Sequence, residues 1–168
     1  EVAHMWQRTW QAVCRETEVG EPGDTHVYDI TRFSIIVTRT AARELKAFRN
    51  ACLHRGRQLV DKNGNYEKFR CPYHAFTWSL EGDFKWAPCK WDFSHIKDEE
   101  FGLTEVQVDT WGGWVFINMD LNAASLREYL GILPSHFERW KPENGYKMIH
   151  VEKVIPCNWK VGWEAFIE

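Results

Sequence analysis

The chain contains 168 residues, of which 44% are hydrophobic and 27% are charged, and its formal net charge is -3. A chain of this length and apolar content can bury about one hydrophobic core, which excludes an intrinsically disordered protein. The slightly acidic balance argues against a nucleic-acid-binding protein, and no apolar run approaches the ~20 residues that a membrane-spanning helix needs. We therefore predict a folded domain that binds neither nucleic acid nor a membrane.

Five cysteines are spread along the chain. An odd number of cysteines without a recognisable secretory signal argues against a disulfide framework and favours reduced thiols in a cytoplasmic protein. The chain lacks an initiator methionine and stops at Glu168, inside a predicted helix. We expect it to be the N-terminal part of a longer protein.

The first segment, residues 1–24, is predicted to be helical. Apolar residues between His4 and Arg15 recur at roughly helical spacing, which predicts a short amphipathic helix. The sequence Glu21-Pro22-Gly23-Asp24 predicts a turn, which ends the segment.

Residues 25–120 are predicted to form an all-β unit, because the apolar period changes to two. The stretches Asn63-Gly64 and Glu81-Gly82-Asp83 predict hairpin turns. Many short strands of this kind are typical of a small antiparallel sandwich or barrel. The predicted strands are His26–Ile30, Phe33–Arg39, Leu45–Asn50, Phe69–Leu80 and Trp111–Met119.

The pattern changes again in residues 121–168. Ser125 and Ser135 are predicted N-caps of two short helices, and Asn158 is predicted to cap a helix that runs to the end of the chain. The other elements predicted here are helices at Leu126–Leu133 and His136–Trp140 and a strand at Tyr146–Pro156.

The chemically informative segment is Cys52-Leu53-His54-Arg55-Gly56, followed by Cys71-Pro72-Tyr73-His74. Two short Cys/His pairs on two tight turns supply four metal ligands, and three origins are compatible with them: chance, a structural zinc site, or a Rieske [2Fe–2S] cluster. Zinc sites usually combine Cys-x2–4-Cys with His-x3–5-His. One mixed pair from each loop instead matches a Rieske cluster, in which two Cys hold one iron and two His hold the other. The pattern therefore favours a cluster on Cys52, His54, Cys71 and His74.

These motifs resemble the Rieske domain of the ring-hydroxylating oxygenase α subunits, and the resemblance covers nearly the whole chain. The stretch Asn158-Trp159-Lys160, with Glu164-Ala165-Phe166 after it, is similar to the entrance of the catalytic domain in that family. The resemblance implies a mainly β, Rieske-type antiparallel sandwich or barrel with two cluster-binding hairpin loops. A short N-terminal helix and the start of an α+β catalytic domain are expected to flank this unit.

The neighbours of the four ligands receive predicted roles as well. Arg55 is expected either to hydrogen-bond near the cluster or to cover its loop, and Tyr73 to direct its hydroxyl group toward a sulfur. Glu168 is the nearest candidate for the acid that, in the family, bridges an iron-ligand His and a cluster His of the next subunit. Ala75-Phe76 stands where the family usually has Gly-Trp, which leaves the shape of the second loop open.

The resemblance implies an oxidoreductase, the oxygenase component of a Rieske dioxygenase or monooxygenase. Electrons from a ferredoxin or an NAD(P)H-dependent reductase are expected to reach a mononuclear Fe(II) site in the missing catalytic domain, which activates O2 to hydroxylate an aromatic or related hydrophobic substrate. The expected assembly is a homotrimer (α3) or α3β3. The alternative is a stand-alone Rieske-type ferredoxin, which is little more than the β unit. The roughly fifty residues after position 119 favour the oxygenase.

Charge is unevenly distributed along the chain. Residues 43–70 carry eight Lys or Arg against three Asp or Glu, and residues 92–109 carry six Asp or Glu against one Lys. One interpretation, without a function, is that these charges form an ordinary solvated surface. The functional interpretation is a basic collar around the cluster loops that attracts an acidic electron donor.

Overall fold

The computed structural model describes residues 1–94 and 96–167 of the chain. The architecture is mainly β, as predicted, and every paired strand runs antiparallel to its neighbours. The strands are β1 Gln11–Arg15, β2 Asp24–Ile30, β3 Phe33–Arg39, β4 Leu45–Arg49, β5 Gly64–Asn65, β6 Phe69–Arg70, β7 Thr77–Trp78, β8 Phe84–Trp86, β9 Glu105–Trp111 and β10 Trp114–Asn118.

Seven of these strands form one curled sheet in the order β1-β10-β9-β4-β3-β2-β5, and β6, β7 and β8 form a second, small sheet. The centre of the large sheet is buried on both faces. Ile36 and Phe48 on one face pack with the small sheet, while Ile35, Val37 and Ala47 on the other face pack with β1, β9 and β10. This explains why the central strand β3 contains a continuous apolar run instead of an alternating one.

The predicted helix over His4–Arg15 is wrong in its second half. Only Val2–Trp6 is helical, as a single short turn, and Gln11–Arg15 is strand β1, which pairs with β10. Cys14 is fully buried against the large sheet in this arrangement. Pairing with a distant strand outweighs the weak helical period of so short a segment.

Three other assignments in the β unit differ from the prediction, and one predicted turn is confirmed. Gly64–Asn65 is an edge strand paired with β2, and not a hairpin turn. The segment predicted as one strand over Phe69–Leu80 is two strands separated by a tight loop. The Gly112-Gly113 pair, which the prediction placed inside a strand, is the two-residue turn between β9 and β10, and both glycines have positive φ. The predicted turn at 81–83 is confirmed, because Ser79 N donates to the Asp83 carbonyl at 2.9 Å.

The C-terminal part contains the helices α1 Leu126–Leu130, α2 Leu133–Phe137 and α3 Trp159–Glu164. Ser125 and Asn158 cap α1 and α3 as predicted. Ser135 is inside α2, and its hydroxyl donates to the Ile132 carbonyl. The strand predicted at Tyr146–Pro156 is absent from the described chain, because no strand lies beside this exposed segment to complete a ladder. None of the described helices combines the length and the apolar character needed to cross a membrane.

Candidate metal centre

The two Cys/His pairs lie on two loops that leave the sheets next to each other. The first loop joins β4 to β5, and the second joins β6 to β7. Both loops contribute residues to one buried apolar cluster, in which Cys52 and Cys71 pack with Phe76 and Trp78. The fold therefore brings together the four predicted ligands, which the sequence separates.

The two loops share one backbone design. Cys52 N donates to the carbonyl five residues later (Arg57), and Gly56 N donates back to the Cys52 carbonyl, at 2.8 and 2.7 Å. In the second loop, Cys71 N donates to the Phe76 carbonyl at 2.8 Å and Ala75 N donates to the Cys71 carbonyl at 2.9 Å. Each loop is thus a closed turn that holds its Cys at the base and its His near the tip.

The fourth residue after each Cys needs a left-handed backbone. Gly56 has φ +73°, and Ala75 has φ +62°. Glycine adopts this conformation without steric cost, whereas alanine is strained in it. With Ala75-Phe76, the second loop has the same hydrogen-bond pattern and the same left-handed position as the first loop.

Asn50 fixes the base of the first loop, and the sequence analysis did not single it out. Its side-chain oxygen accepts hydrogen bonds from the backbone of Leu59 and Val60, both at 3.0 Å. Its amide nitrogen donates to the Val60 carbonyl and to Ser34, at 2.7 and 3.0 Å. An Asn immediately after a strand, two positions before a candidate ligand, is the only local signal for this role.

The two thiols form a buried pair. Cys52 and Cys71 are each 3% exposed, lie in the same buried cluster and interact with each other. Burial raises the pKa of the Cys52 thiol, and the neighbouring Cys71 raises it further. The backbone N–H groups of His54 and Arg55 point to the Cys52 sulfur and oppose this shift in pKa. These N–H groups are suited to a thiolate bound to a cation.

The two imidazoles form a second pair, nearer to the surface. The ring centroids of His54 and His74 are 4.9 Å apart, with the planes inclined by 60°. The pKa of His54 is lowered, chiefly by partial burial and then by the charges of Arg55 and His74, so its neutral form is favoured. Neutral imidazole is the form that binds a metal.

The geometry fits a cluster of two irons. Thiol lies beside thiol and imidazole beside imidazole, which is the division of ligands between the two irons of a Rieske cluster. The Nδ1 atom of His74 is buried and has no hydrogen-bond partner, although a buried polar atom normally has one. In the described chain, no three His, Cys, Asp or Glu side chains converge on one point as ligands of a single ion.

The other predicted site residues occupy the outside of the loops. Arg55 is exposed, and its charge acts on His54. Tyr73 is 62% exposed and lies with its ring against His74. Its hydroxyl group has no hydrogen bond to any described residue. Glu168, the predicted bridging acid, lies outside the described residues.

Comparison with known proteins identifies the group to which these loops belong. The chain matches the family described as "Rieske [2Fe-2S] domain" over residues 9–98. It is 30% identical to the α subunit of benzene 1,2-dioxygenase from Pseudomonas putida over 99% of this chain and 38% of that protein. It is also 30% identical to the carnitine monooxygenase oxygenase subunit of Escherichia coli K12, over 100% of this chain and 46% of that protein.

Solved structures agree with this assignment. The crystal structure of the apo form of the quaternary ammonium Rieske monooxygenase CntA is similar with a TM-score of 0.78 and 28% identity, over 82% of this chain and 40% of that one. Naphthalene 1,2-dioxygenase from Rhodococcus sp. is similar with a TM-score of 0.75 and 32% identity, over 80% of this chain and 31% of that one. The chain therefore spans less than half the length of these relatives. It belongs to the Rieske [2Fe–2S] domain family, whose members bind a cluster of two irons and two sulfides.

Proposed function

We propose that this chain is the electron-accepting part of a Rieske non-haem iron oxygenase. Cys52 and Cys71 hold one iron of its cluster, and His54 and His74 hold the other. The observation that carries the proposal is the separate pairing of two buried thiols and two half-buried imidazoles on two equivalent loops. When bound, such a cluster stores and passes on one electron.

The proposal continues to the whole protein. We propose that electrons come from a ferredoxin or an NAD(P)H-dependent reductase, and that a mononuclear Fe(II) site in a catalytic domain of the same protein uses them with O2 to hydroxylate an aromatic or related hydrophobic substrate. The similarity to oxygenase subunits over 99 to 100% of the chain supports this function over a stand-alone ferredoxin, because it includes the residues that follow the β unit. The share of each relative that is covered supports a separate catalytic domain.

The assembly and the location are part of the same proposal. We propose a homotrimer, or an α3β3 complex, because the relatives include proteins named as α subunits. A cytoplasmic location is supported by the state of the cysteines, since all five are free thiols. Sedimentation analysis of the whole protein tests the assembly, and a monomer would contradict it.

The ligand assignment is tested by metal analysis of the purified protein. We expect about two irons and two acid-labile sulfides per chain, and an EPR signal of a reduced [2Fe–2S] cluster. Cys52→Ser and His74→Ala should lose the cluster, whereas the matched variant Cys89→Ser, at an exposed cysteine outside the loops, should keep it. Stoichiometric zinc without labile sulfide would overturn the proposal.

The substrate class needs a separate assay on the whole protein. Among the relatives, some are named for benzene or biphenyl, and others for glycine betaine or carnitine. Our proposal predicts a hydroxylated product from an aromatic compound such as biphenyl with a reduced donor and O2. Turnover of carnitine or glycine betaine without turnover of any aromatic compound would show that the substrate assignment is wrong.

A further inference from the structure

The two imidazoles of the site rest on different rings, although their loops share one backbone design. His54 faces inward and stacks on Phe76, with ring centroids 4.8 Å apart and planes inclined by 15°. Phe76 is only 2% exposed. His74 instead contacts Tyr73, with centroids 3.8 Å apart and planes inclined by 34°. The ring that covers His74 therefore belongs to a side chain at the protein surface.

The residue before each His is the point at which the loops differ. Leu53 precedes His54, and Tyr73 precedes His74. Both side chains are exposed, at 37% and 62%, but only Tyr73 has a ring contact with the imidazole that follows it. Since the Tyr73 hydroxyl has no hydrogen bond to a described residue, the contact of this side chain with the site is made by its ring.

We propose that Tyr73 is a positioning residue that acts through His74 and keeps the reduction potential of the centre low. The inference rests on the proposed function, because it takes His74 as a ligand. Two thiolates and two neutral imidazoles leave an oxidised Rieske cluster with no net charge and a reduced one with a single negative charge. Any group that disfavours this additional negative charge lowers the potential.

The Tyr73 ring disfavours the negative charge in two ways. The face of an aromatic ring carries partial negative charge, which interacts better with the more positive, oxidised state. The ring also keeps water from one side of His74, and water stabilises the charged, reduced state more than the neutral one. Both effects have the same sign, so removal of the ring should raise the potential.

The test is an EPR-monitored redox titration of the cluster-loaded protein at one fixed pH. Tyr73→Leu gives the second loop the residue that the first loop has, and we expect it to raise the potential. At the wild-type midpoint, its reduced-to-oxidised ratio should rise by roughly two- to tenfold, which corresponds to the free energy of one aromatic contact. Tyr73→Phe keeps the ring and should match the wild type. Leu53→Ala is the matched control in the first loop and should also leave the potential unchanged.

Each result decides the inference. An unchanged potential in Tyr73→Leu would overturn it, and so would equal shifts in Tyr73→Leu and Tyr73→Phe, because the hydroxyl group would then be responsible. If Tyr73→Leu fails to bind iron, Tyr73→Met replaces it as the ring-free variant, and Tyr73→Trp, with a larger ring, should not raise the potential. Absence of iron and sulfide from the wild-type protein would contradict the proposed function itself, whereas a loaded cluster that is insensitive to Tyr73 would contradict only this inference.

Discussion

Ala75 is the residue at which the second loop is strained. It adopts φ +62° in a position equivalent to Gly56, which has φ +73°. A left-handed conformation costs a non-glycine residue about 1 kcal/mol, and the shared hydrogen-bond pattern of the loops imposes it. Alanine is therefore not the most favourable residue at position 75, although the second loop has the same backbone pattern as the first.

We expect Ala75→Gly to stabilise the cluster-loaded protein by about 0.5–1 kcal/mol, because the strain is removed at a small cost in chain entropy. The reverse change, Gly56→Ala, is the control. It meets no atom within 4 Å, so only its backbone strain should destabilise the protein. Denaturant unfolding curves measure both effects, and a loss of stability in Ala75→Gly would show that the positive φ is not imposed by the loop.

Burial changes the chemistry of Cys14. Burial raises the pKa of its thiol to about 12, with a smaller contribution from the charge of Glu18. The side chain is 2% exposed, whereas Cys89 and Cys157 are exposed. Because the thiolate is the reactive form, the ionisation of Cys14 in the folded state requires a pH far above neutral.

We predict that an alkylating reagent at pH 8 labels Cys89 and Cys157 in the folded protein and leaves Cys14 unlabelled. Unfolding returns the pKa of Cys14 to its ordinary value, so the denatured protein should be labelled there as well. The folded state is favoured while this thiol is protonated, and this contribution to stability declines as pH rises from about 9 toward 12. Peptide mapping by mass spectrometry reads the labelling, and rapid labelling of Cys14 in the folded state would contradict the burial argument.

At the scale of elements, local signals were sufficient where an element is defined by its own residues. The Ser125 cap needs only Glu128, three residues later, and the ligand motif needs only its spacing. The bounds of β3 were predicted correctly because its apolar run is continuous. The general β architecture followed from many such local patterns.

Elements that depend on distant partners were not predictable in the same way. Strand β1 exists because Gln11–Arg15 pairs with residues about a hundred positions away, which a local apolar period cannot indicate. Tyr146–Pro156 has the alternation of a strand but no strand beside it. The roles of Asn50 and Phe76 were not predicted either, because they depend on contacts between residues that are distant in the sequence. Asn50 bonds the backbone of Val60, and Phe76 of the second loop stacks on His54 of the first.

Arg15 links β1 to the C-terminal segment. Its guanidinium is buried and donates to the carbonyls of Gly112, Pro142 and Gly145, at 2.9, 3.2 and 2.5 Å. Hydrogen bonds from a charged donor are stronger than those between neutral groups. One side chain thus holds the 142–145 stretch against the β9–β10 turn.

We expect Arg15→Met to lower the free energy of unfolding by about 2–3 kcal/mol, because it preserves much of the side-chain volume but removes the charged donor that these three carbonyls share. Backbone amides of residues 143–145 should also exchange with deuterium faster. Arg43→Met is the matched control, since the ion pair of Arg43 with Glu21 is exposed and contributes little. Equal effects of the two substitutions on stability would contradict the role assigned to Arg15.

At the scale of the whole molecule, the charges near the cluster loops oppose the net charge. The protein carries -3, yet Arg55, Arg57, Lys68 and Arg70 are all exposed on or beside the loops. Within the described chain, Arg57 has only a long contact with Asp61, at 3.5 Å, and the other three form no ion pair. The acidic stretch of residues 92–109 is partly neutralised by lysines, as in the pair between Lys90 and Asp98. Exposed positive charge without a close ion pair therefore lies beside the loops that carry the proposed cluster.

This distribution predicts that an acidic electron donor reduces the cluster faster at low ionic strength. Attraction between oppositely charged surfaces raises association rates by roughly ten- to a thousandfold. At an ionic strength of about 0.1 M or more, the Debye length of the solution is about 10 Å or less, and the attraction is screened. We expect the second-order rate constant, measured by stopped-flow bleaching of the cluster absorption, to fall by roughly tenfold or more between low and high salt.

Arg55→Glu combined with Lys68→Glu should reduce the rate and its dependence on salt. The matched control is the pair of reversals Lys153→Glu and Lys160→Glu, which changes the net charge equally at residues outside the loops. A rate that is independent of salt, or an equal loss in both double variants, would show that net charge alone, and not the basic collar, governs the approach of the donor.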